Sequence, residues 1–159
     1  MQEISKLDKA NFIFSSSCTV YGQAEKMPIT ENVCIQPAAS PYGNTKQIGE
    51  EIISDVAKVT NLNSILLRYF NPIGAHPTAE IGELPLGIPQ NLVPFITQTA
   101  MGLREKLSVY GNDYPTSDGT AVRDYIHVVD LAKAHVIAMK RLLDKKNLEK
   151  VETFNLGTG

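Results

Sequence analysis

The run Tyr42-Gly43-Asn44-Thr45-Lys46, about 25 residues behind the cluster Ser15-Ser16-Ser17, holds the residue types in this chain that could do chemistry. On a helix, positions four apart lie about 40° from each other, so the ammonium of Lys46 would sit beside the phenol of Tyr42. A free tyrosine ionises near pH ~10. A cation within ~4–6 Å favours the phenolate, whereas burial alone works against it. The pairing therefore implies a base that takes a proton from an alcohol, the partner step of a hydride transfer. A Tyr-x-x-x-Lys pair also arises by chance, and serines after a strand commonly do no more than satisfy strand-end backbone groups. The combination carries more. In a strand-helix-strand unit, the carboxyl end of the strand and the start of the next helix face one ligand crevice. A serine hydroxyl there can hold the alcohol whose proton the phenolate removes.

The elements that must position these groups follow from periodicity. Phe12-Ile13-Phe14 is an apolar run short enough for a central parallel strand. Residues 22–41 carry Pro28, Pro37 and Pro41 without a sustained period and read as a loop, and Ser40-Pro41 is a common helix start. From Tyr42 to about Thr60, Ile48, Ile52, Ile53, Val56 and Val59 recur at helical spacing, and Asn61-Leu62-Asn63 ends the helix. Ser64 to Tyr69 reads as a second buried strand, completing a right-handed βαβ unit of a doubly wound sheet. A Gly- and Pro-rich loop is expected over 71–91, a helix from about Leu92 to Gly102, and a short strand at Leu107-Ser108-Val109-Tyr110. A loop over 111–124 leads to a strand at Tyr125-Ile126-His127-Val128, a helix over Val129 to Leu143, and a closing strand at Phe154-Asn155-Leu156.

Composition excludes several classes. The 159 residues include 43% apolar and 20% charged side chains, which suits a domain with a sizeable core. A formal charge of −2 gives no general attraction to nucleic acid or an anionic membrane. No apolar run approaches the ~18 residues of a membrane span, and no secretory leader opens the chain. Cys18 and Cys34 make no disulfide framework, and His76, His127 and His135 have no metal-ligand spacing. No metal and a reduced, cytoplasmic setting are the expectation.

Three longer motifs add a resemblance. Phe12 through Gly22, with Pro41 through Lys46, resembles the extended short-chain dehydrogenase/reductase superfamily. Leu67-Arg68-Tyr69-Phe70-Asn71-Pro72-Ile73-Gly74-Ala75-His76, Gly87-Ile88-Pro89-Gln90-Asn91-Leu92 and the run Tyr110 to Ala132 closely resemble the UDP-glucose 4-epimerase family. The resemblance implies an α/β fold: the C-terminal portion of a doubly wound Rossmann-type parallel sheet with part of a small substrate-binding domain, truncated at both ends. Residues 1–71 would belong to the NAD-binding domain, 72–124 mainly to UDP-sugar-binding segments, and 125–159 to a helix and strand returning to the first domain. It implies Ser17 as the hydroxyl, Tyr42 as the base and Lys46 on the nicotinamide ribose, with Phe70 beside the nicotinamide. It further implies that Asn71, Asn91 and Leu92 contact the UDP-sugar, that Ser108, Val109 and Tyr110 run along the uridine, and that Arg123 meets the diphosphate. A guanidinium fork suits phosphate oxygens; the alternative for Arg123 is a surface pair with Asp118 or Asp124. Cys18 stands where the family usually has alanine, and Ala121 where glycine is common.

The implied activity is interconversion of UDP-galactose and UDP-glucose with tightly held NAD, in a homodimer joined through the helix that begins at Tyr42. No glycine-rich loop after an early strand is present, and Gly157-Thr158-Gly159 is too short for a dinucleotide fingerprint. The strand at Phe12 is thus expected at a sheet edge, apolar on both faces, where it invites pairing or aggregation. The isolated chain is expected to be poorly soluble and to bind NAD weakly or not at all. A non-catalytic remnant or interaction segment remains a second reading. A related nucleotide-sugar dehydratase or reductase is a third, opposed by the lack of an acidic residue beside Ser17.

Overall fold

The structure, a computed structural model, describes residues 1–24 and 27–159. Glu25 and Lys26, within the expected loop 22–41, lie outside the described residues. A single-turn helix α1 (Gln2–Ser5) leads into strand β1 (Ala10–Ser15). Met1 and Ile4 pack against the core and give the turn an apolar side.

Helix α2 (Pro41–Val59) starts where its local chemistry directs. Ser40 Oγ accepts the Gly43 N–H at 3.1 Å, and Pro41 occupies the first turn, where its missing N–H costs nothing. Strand β2 (Leu62–Tyr69) follows almost at once. It runs parallel to β1 from Ala10↔Leu62 to Ser15↔Leu67, so the predicted βαβ unit is present.

Strand β5 (Val151–Leu156) pairs in parallel with the other side of β2, giving the order β1-β2-β5. The pleat of β2 explains the two layers of the core. Leu62 and Leu66 face Ile53 and Ala57 of α2, with Phe12 and Phe14 of β1 alongside. Ile65 and Leu67 face Ala138 and Leu142 of helix α4 (Val128–Leu143), with Ile13 alongside. Strand β1 is therefore the edge of the described sheet and apolar on both faces, as expected.

The remaining elements form a smaller unit. Strand β3 (Asn71–Ile73) pairs in parallel with β4 (Tyr125–His127), and helix α3 (Leu92–Ala100) lies between them in sequence. Residues 71–73 had read as loop; they become strand because residues 125–127 offer a ladder. The strand expected at Leu107–Tyr110 does not form. Its Val109 and Tyr110 are exposed and no strand pairs with them, and β propensity without a partner and a packed face does not make a strand.

Candidate active site

Two glycines bring α2 onto the end of β1. A Cβ at Gly49 would stand 2.7 Å from Phe14 Cζ, and one at Gly43 would stand 3.2 Å from the carbonyl oxygen of Thr19. Their missing side chains let the helix settle against β1 and against the 3-10 turn Cys18–Tyr21 that follows it.

Helix period then places Tyr42 and Lys46 together. Lys46 Nζ lies 5.5 Å from the centre of the Tyr42 ring and 5.1 Å from that of Phe14, and donates to the Ser15 carbonyl oxygen at 2.8 Å. Tyr42 is 51% exposed, so its phenol opens to solvent at this end of the sheet. Ser17 caps the 3-10 turn: its Oγ accepts the Thr19 N–H at 3.3 Å. Ser17 is buried, and among the described residues it makes no hydrogen bond with Tyr42 or Lys46. The three groups are gathered where α2 meets the end of β1.

Two further groups belong to this end of the sheet, and spacing could not have found them. Burial raises the Tyr69 phenol above its ordinary value, and Tyr42 nearby adds in the same direction. His135, on α4, binds Ser15 Oγ through Nε2 at 2.8 Å while its Nδ1 meets the Leu131 carbonyl at 2.9 Å. The other histidines have local work: His127 Nδ1 caps α4 by accepting the Val129 N–H, and His76 bonds the Thr78 hydroxyl.

Phe70 and Asn71 carry the chain from Tyr69 into a second cluster. Asn71, at the start of β3, donates from both its N–H (3.1 Å) and its Nδ2 (2.9 Å) to the Asp124 carbonyl oxygen. It lines a cleft of about 660 Å³, within the usual range for a small-molecule site. Asn91 and Leu92, at the amino end of α3, line the same cleft. So do Ser108, Val109 and Tyr110, together with Arg123. Seven of the nine residues expected to contact the substrate thus line one cavity, and Ser17 and Tyr42 do not. Phe70 and Lys46 are also outside it.

The cleft is lined by one cation, Arg123, one carboxylate, Glu83, and the start of α3. Asn91 is the cap of α3 but makes no side-chain cap bond, its Nδ2 turning to Glu83 Oε1 instead. The first-turn N–H groups of α3 therefore lack a side-chain acceptor. Arg123 donates to the Val122 carbonyl and forms no ion pair among the described residues. Among the described residues neither Asp118 nor Asp124 pairs with Arg123; both carboxylates accept other bonds. The Thr120 N–H and hydroxyl hold Asp118 below its ordinary carboxyl range. Burial opposes ionisation of Asp124, yet the bonds from Thr158 and Gly159 outweigh it and lower that carboxyl too. Burial pushes the Cys18 thiol up, in keeping with a small packed side chain.

Comparisons with known proteins give the family. The family model described as NAD dependent epimerase/dehydratase family matches residues 1–157. The chain belongs to that family. It is 52% identical over 159 residues to the UDP-glucose 4-epimerase of Bacillus subtilis, covering 99% of this chain and 46% of that one. It is 52% identical over 150 residues to the Mus musculus UDP-glucose 4-epimerase, covering 94% and 42%. Among solved structures, the UDP-glucose-4-epimerase of Stenotrophomonas maltophila with bound NAD and formylated UDP-arabinopyranose superposes with a TM-score of 0.88 at 50% identity, covering 94% of this chain and 44% of that one. The Bifidobacterium longum UDP-glucose 4-epimerase in complex with NAD+ and UDP gives 0.84 at 47% identity, covering 93% and 43%. The chain thus spans under half the length of these relatives.

The described residues fit one end of a dinucleotide better than the other. Tyr42 and Lys46 present a hydroxyl and an ammonium at the carboxyl edge of the sheet, where a nicotinamide ribose would lie. The turn Gly157–Gly159 offers no free cradle for a pyrophosphate, because the N–H groups of Thr158 and Gly159 already point at the Asp124 carboxylate. Among the described residues, no helix is long and apolar enough to cross a membrane.

Proposed function

We propose that this chain carries the proton-transfer pair and the nucleotide-gripping cleft of a UDP-glucose 4-epimerase, which interconverts UDP-galactose and UDP-glucose. The observation that carries the reading is the lysine-flanked, half-exposed Tyr42; further along the chain a cleft is lined by Arg123, which forms no ion pair among the described residues, and by the uncapped start of α3.

In this reading the Tyr42 phenol oxygen takes the proton of the sugar 4-hydroxyl and later returns it. The Lys46 ammonium, beside the Tyr42 ring and anchored on the Ser15 carbonyl oxygen, is placed to meet the nicotinamide ribose. The Ser17 hydroxyl steadies the alcohol from the side of the strand. NAD, held by Tyr42, Lys46 and Phe70, would supply reversible hydride acceptance at the sugar C4. Phe70 limits the space beside it. Arg123 and the start of α3, with Asn91 and Leu92, hold the diphosphate, while Ser108, Val109 and Tyr110 lie along the uridine. Asn71 keeps its carbonyl oxygen free for the substrate, since its Nδ2 is spent on Asp124. Polar groups gather at the nucleotide, which leaves the hexose free to turn.

Association through α2 fits the same reading, because Ile48, Ile52 and Val59 stand exposed along that helix. A non-catalytic interaction segment is favoured instead by one feature, the apolar edge strand β1. A test that does not depend on turnover is calorimetric titration of the chain with UDP. Binding that weakens about 10–100-fold in Arg123→Met is expected for loss of one bond to a charged group. Absence of UDP binding to the folded, monodisperse chain would remove the substrate assignment.

A further inference from the structure

Consecutive residues at the carboxyl end of β1 are gripped by consecutive turns of α2, and one of those grips is a buried ion pair. Lys46 holds the Ser15 carbonyl at 2.8 Å. One turn further on, Glu50 Oε1 accepts the hydroxyl of the fully buried Ser16 at 2.5 Å. Arg68, from β2, donates to the same carboxylate through Nε at 3.0 Å and NH2 at 2.5 Å. The Arg68 and Glu50 side chains are only 7% and 6% exposed. The guanidinium lies 4.8 Å from the centre of the Tyr21 ring, whose hydroxyl donates to Asn155 Oδ1 on β5 at 2.7 Å. Burial works against the Arg68 charge, but the bonds it donates to Glu50, with a contribution from Tyr21, more than offset it.

Such a pair is a weak device for stability, since well-packed apolar residues commonly do as well. Its geometry supplies something that apolar packing does not. A two-pronged fork plus a hydroxyl is satisfied in one register only, whereas a greasy contact tolerates a slide along the helix. Tyr42, Lys46 and Glu50 are spaced four apart, so a shift at Glu50 is a shift of the whole face. We infer that Glu50 and Arg68, acting through Ser16, are positioning residues that fix the register of α2 on the end of β1 and so hold Lys46 and Tyr42 beside Ser17. The inference rests on the reading of Tyr42 and Lys46 as the proton-transfer pair.

Competitive acetylation of the whole chain, read by mass spectrometry at Lys46 relative to the exposed Lys58, tests it without cofactor or turnover. Ser16→Ala removes the link while leaving Arg68 on Glu50. The double variant Glu50→Leu with Arg68→Met removes the pair without stranding a charge. The Lys46 to Lys58 labelling ratio is expected to rise about tenfold in each, as for loss of a bond to a charged group. Leu142→Ala, a core truncation on α4, controls for general destabilisation and should leave the ratio unchanged. A parental ratio in folded Ser16→Ala, or an equal rise in Leu142→Ala, overturns the proposal. If these residues, grafted into a full-length relative that folds and binds NAD, give no epimerisation while the ratio rises in Ser16→Ala and in the double variant but not in Leu142→Ala, the clamp stands and the catalytic reading falls. No rise in the folded double variant overturns the clamp.

Discussion

Tyr42 and Lys46 were legible because their proximity needs only helix period, and Ser17 because a strand's end and the next helix's start share one edge of such a sheet. Their environment was not legible. Glu50 meets Ser16 and Arg68 across three elements, and His135 reaches Ser15 from 120 positions away. No spacing rule finds such pairs. That Arg123 makes no ion pair with Asp118 or Asp124 among the described residues is likewise visible only in the tertiary structure. Asp124 allows a direct check at this scale. Its folded carboxyl is depressed, so the stability it contributes is full above the unfolded value and is lost as pH falls through the folded one. The Thr158 and Gly159 amide resonances are expected to titrate together with a midpoint below the ordinary aspartate value of about 3.9. A shared midpoint at or above that value would contradict the bonding described.

At the scale of elements, hydrophobic periodicity located both long helices and the three strands of the main sheet, because each buries an apolar face against β2. It failed where a partner decides the outcome: β3 forms from presumed loop, and Leu107–Tyr110, a good strand by composition, stays irregular and lines the cleft. The seat of α2 gives a contrast in one measurement. Gly49→Ala forces a Cβ to 2.7 Å from the Phe14 ring, whereas Gly43→Ala meets its nearest atom at 3.2 Å. Overpacking costs about 1–3 kcal/mol and better helix propensity returns at most ~1 kcal/mol. Thermal unfolding should therefore show Gly49→Ala less stable than the parent and than Gly43→Ala; the reverse order would mean α2 does not rest on Phe14. The Arg141–Glu152 bridge ties the end of α4 to β5, with bonds of 2.7 and 2.8 Å. Those bonds hold the Glu152 carboxyl below its usual value against the effect of burial. Its contribution is present above about pH 4.3, the ordinary glutamate value, and is lost as pH falls through the lower folded one. Glu152→Gln should lower stability at pH 7 and flatten the acid limb of the stability curve; an unaltered limb would contradict the pairing.

For the whole molecule, the main sheet ends on an apolar strand, and both flanking helices keep exposed apolar residues: Ile48 and Ile52 on α2, Ile137 and Leu143 on α4. Surfaces of this kind associate in water. Sedimentation should find concentration-dependent association that weakens in Ile48→Lys with Ile52→Lys, and a monomer at all concentrations would contradict the α2 contact. The family and its parallel sheet could be read from the motifs, while the absence of free pyrophosphate donors at Gly157–Gly159 required the bonds of Asp124. The most direct measurement grafts these 159 residues in place of the matching segment of the Bacillus subtilis relative, to which they are 52% identical. The graft is expected to convert UDP-galactose to UDP-glucose, and Tyr42→Phe in it to lose about 10²–10⁴-fold in rate, the usual worth of a positioned base, with its fold and NAD binding retained. A folded, NAD-bound graft without turnover, or one in which Tyr42→Phe turns over at the parental rate, would contradict the account.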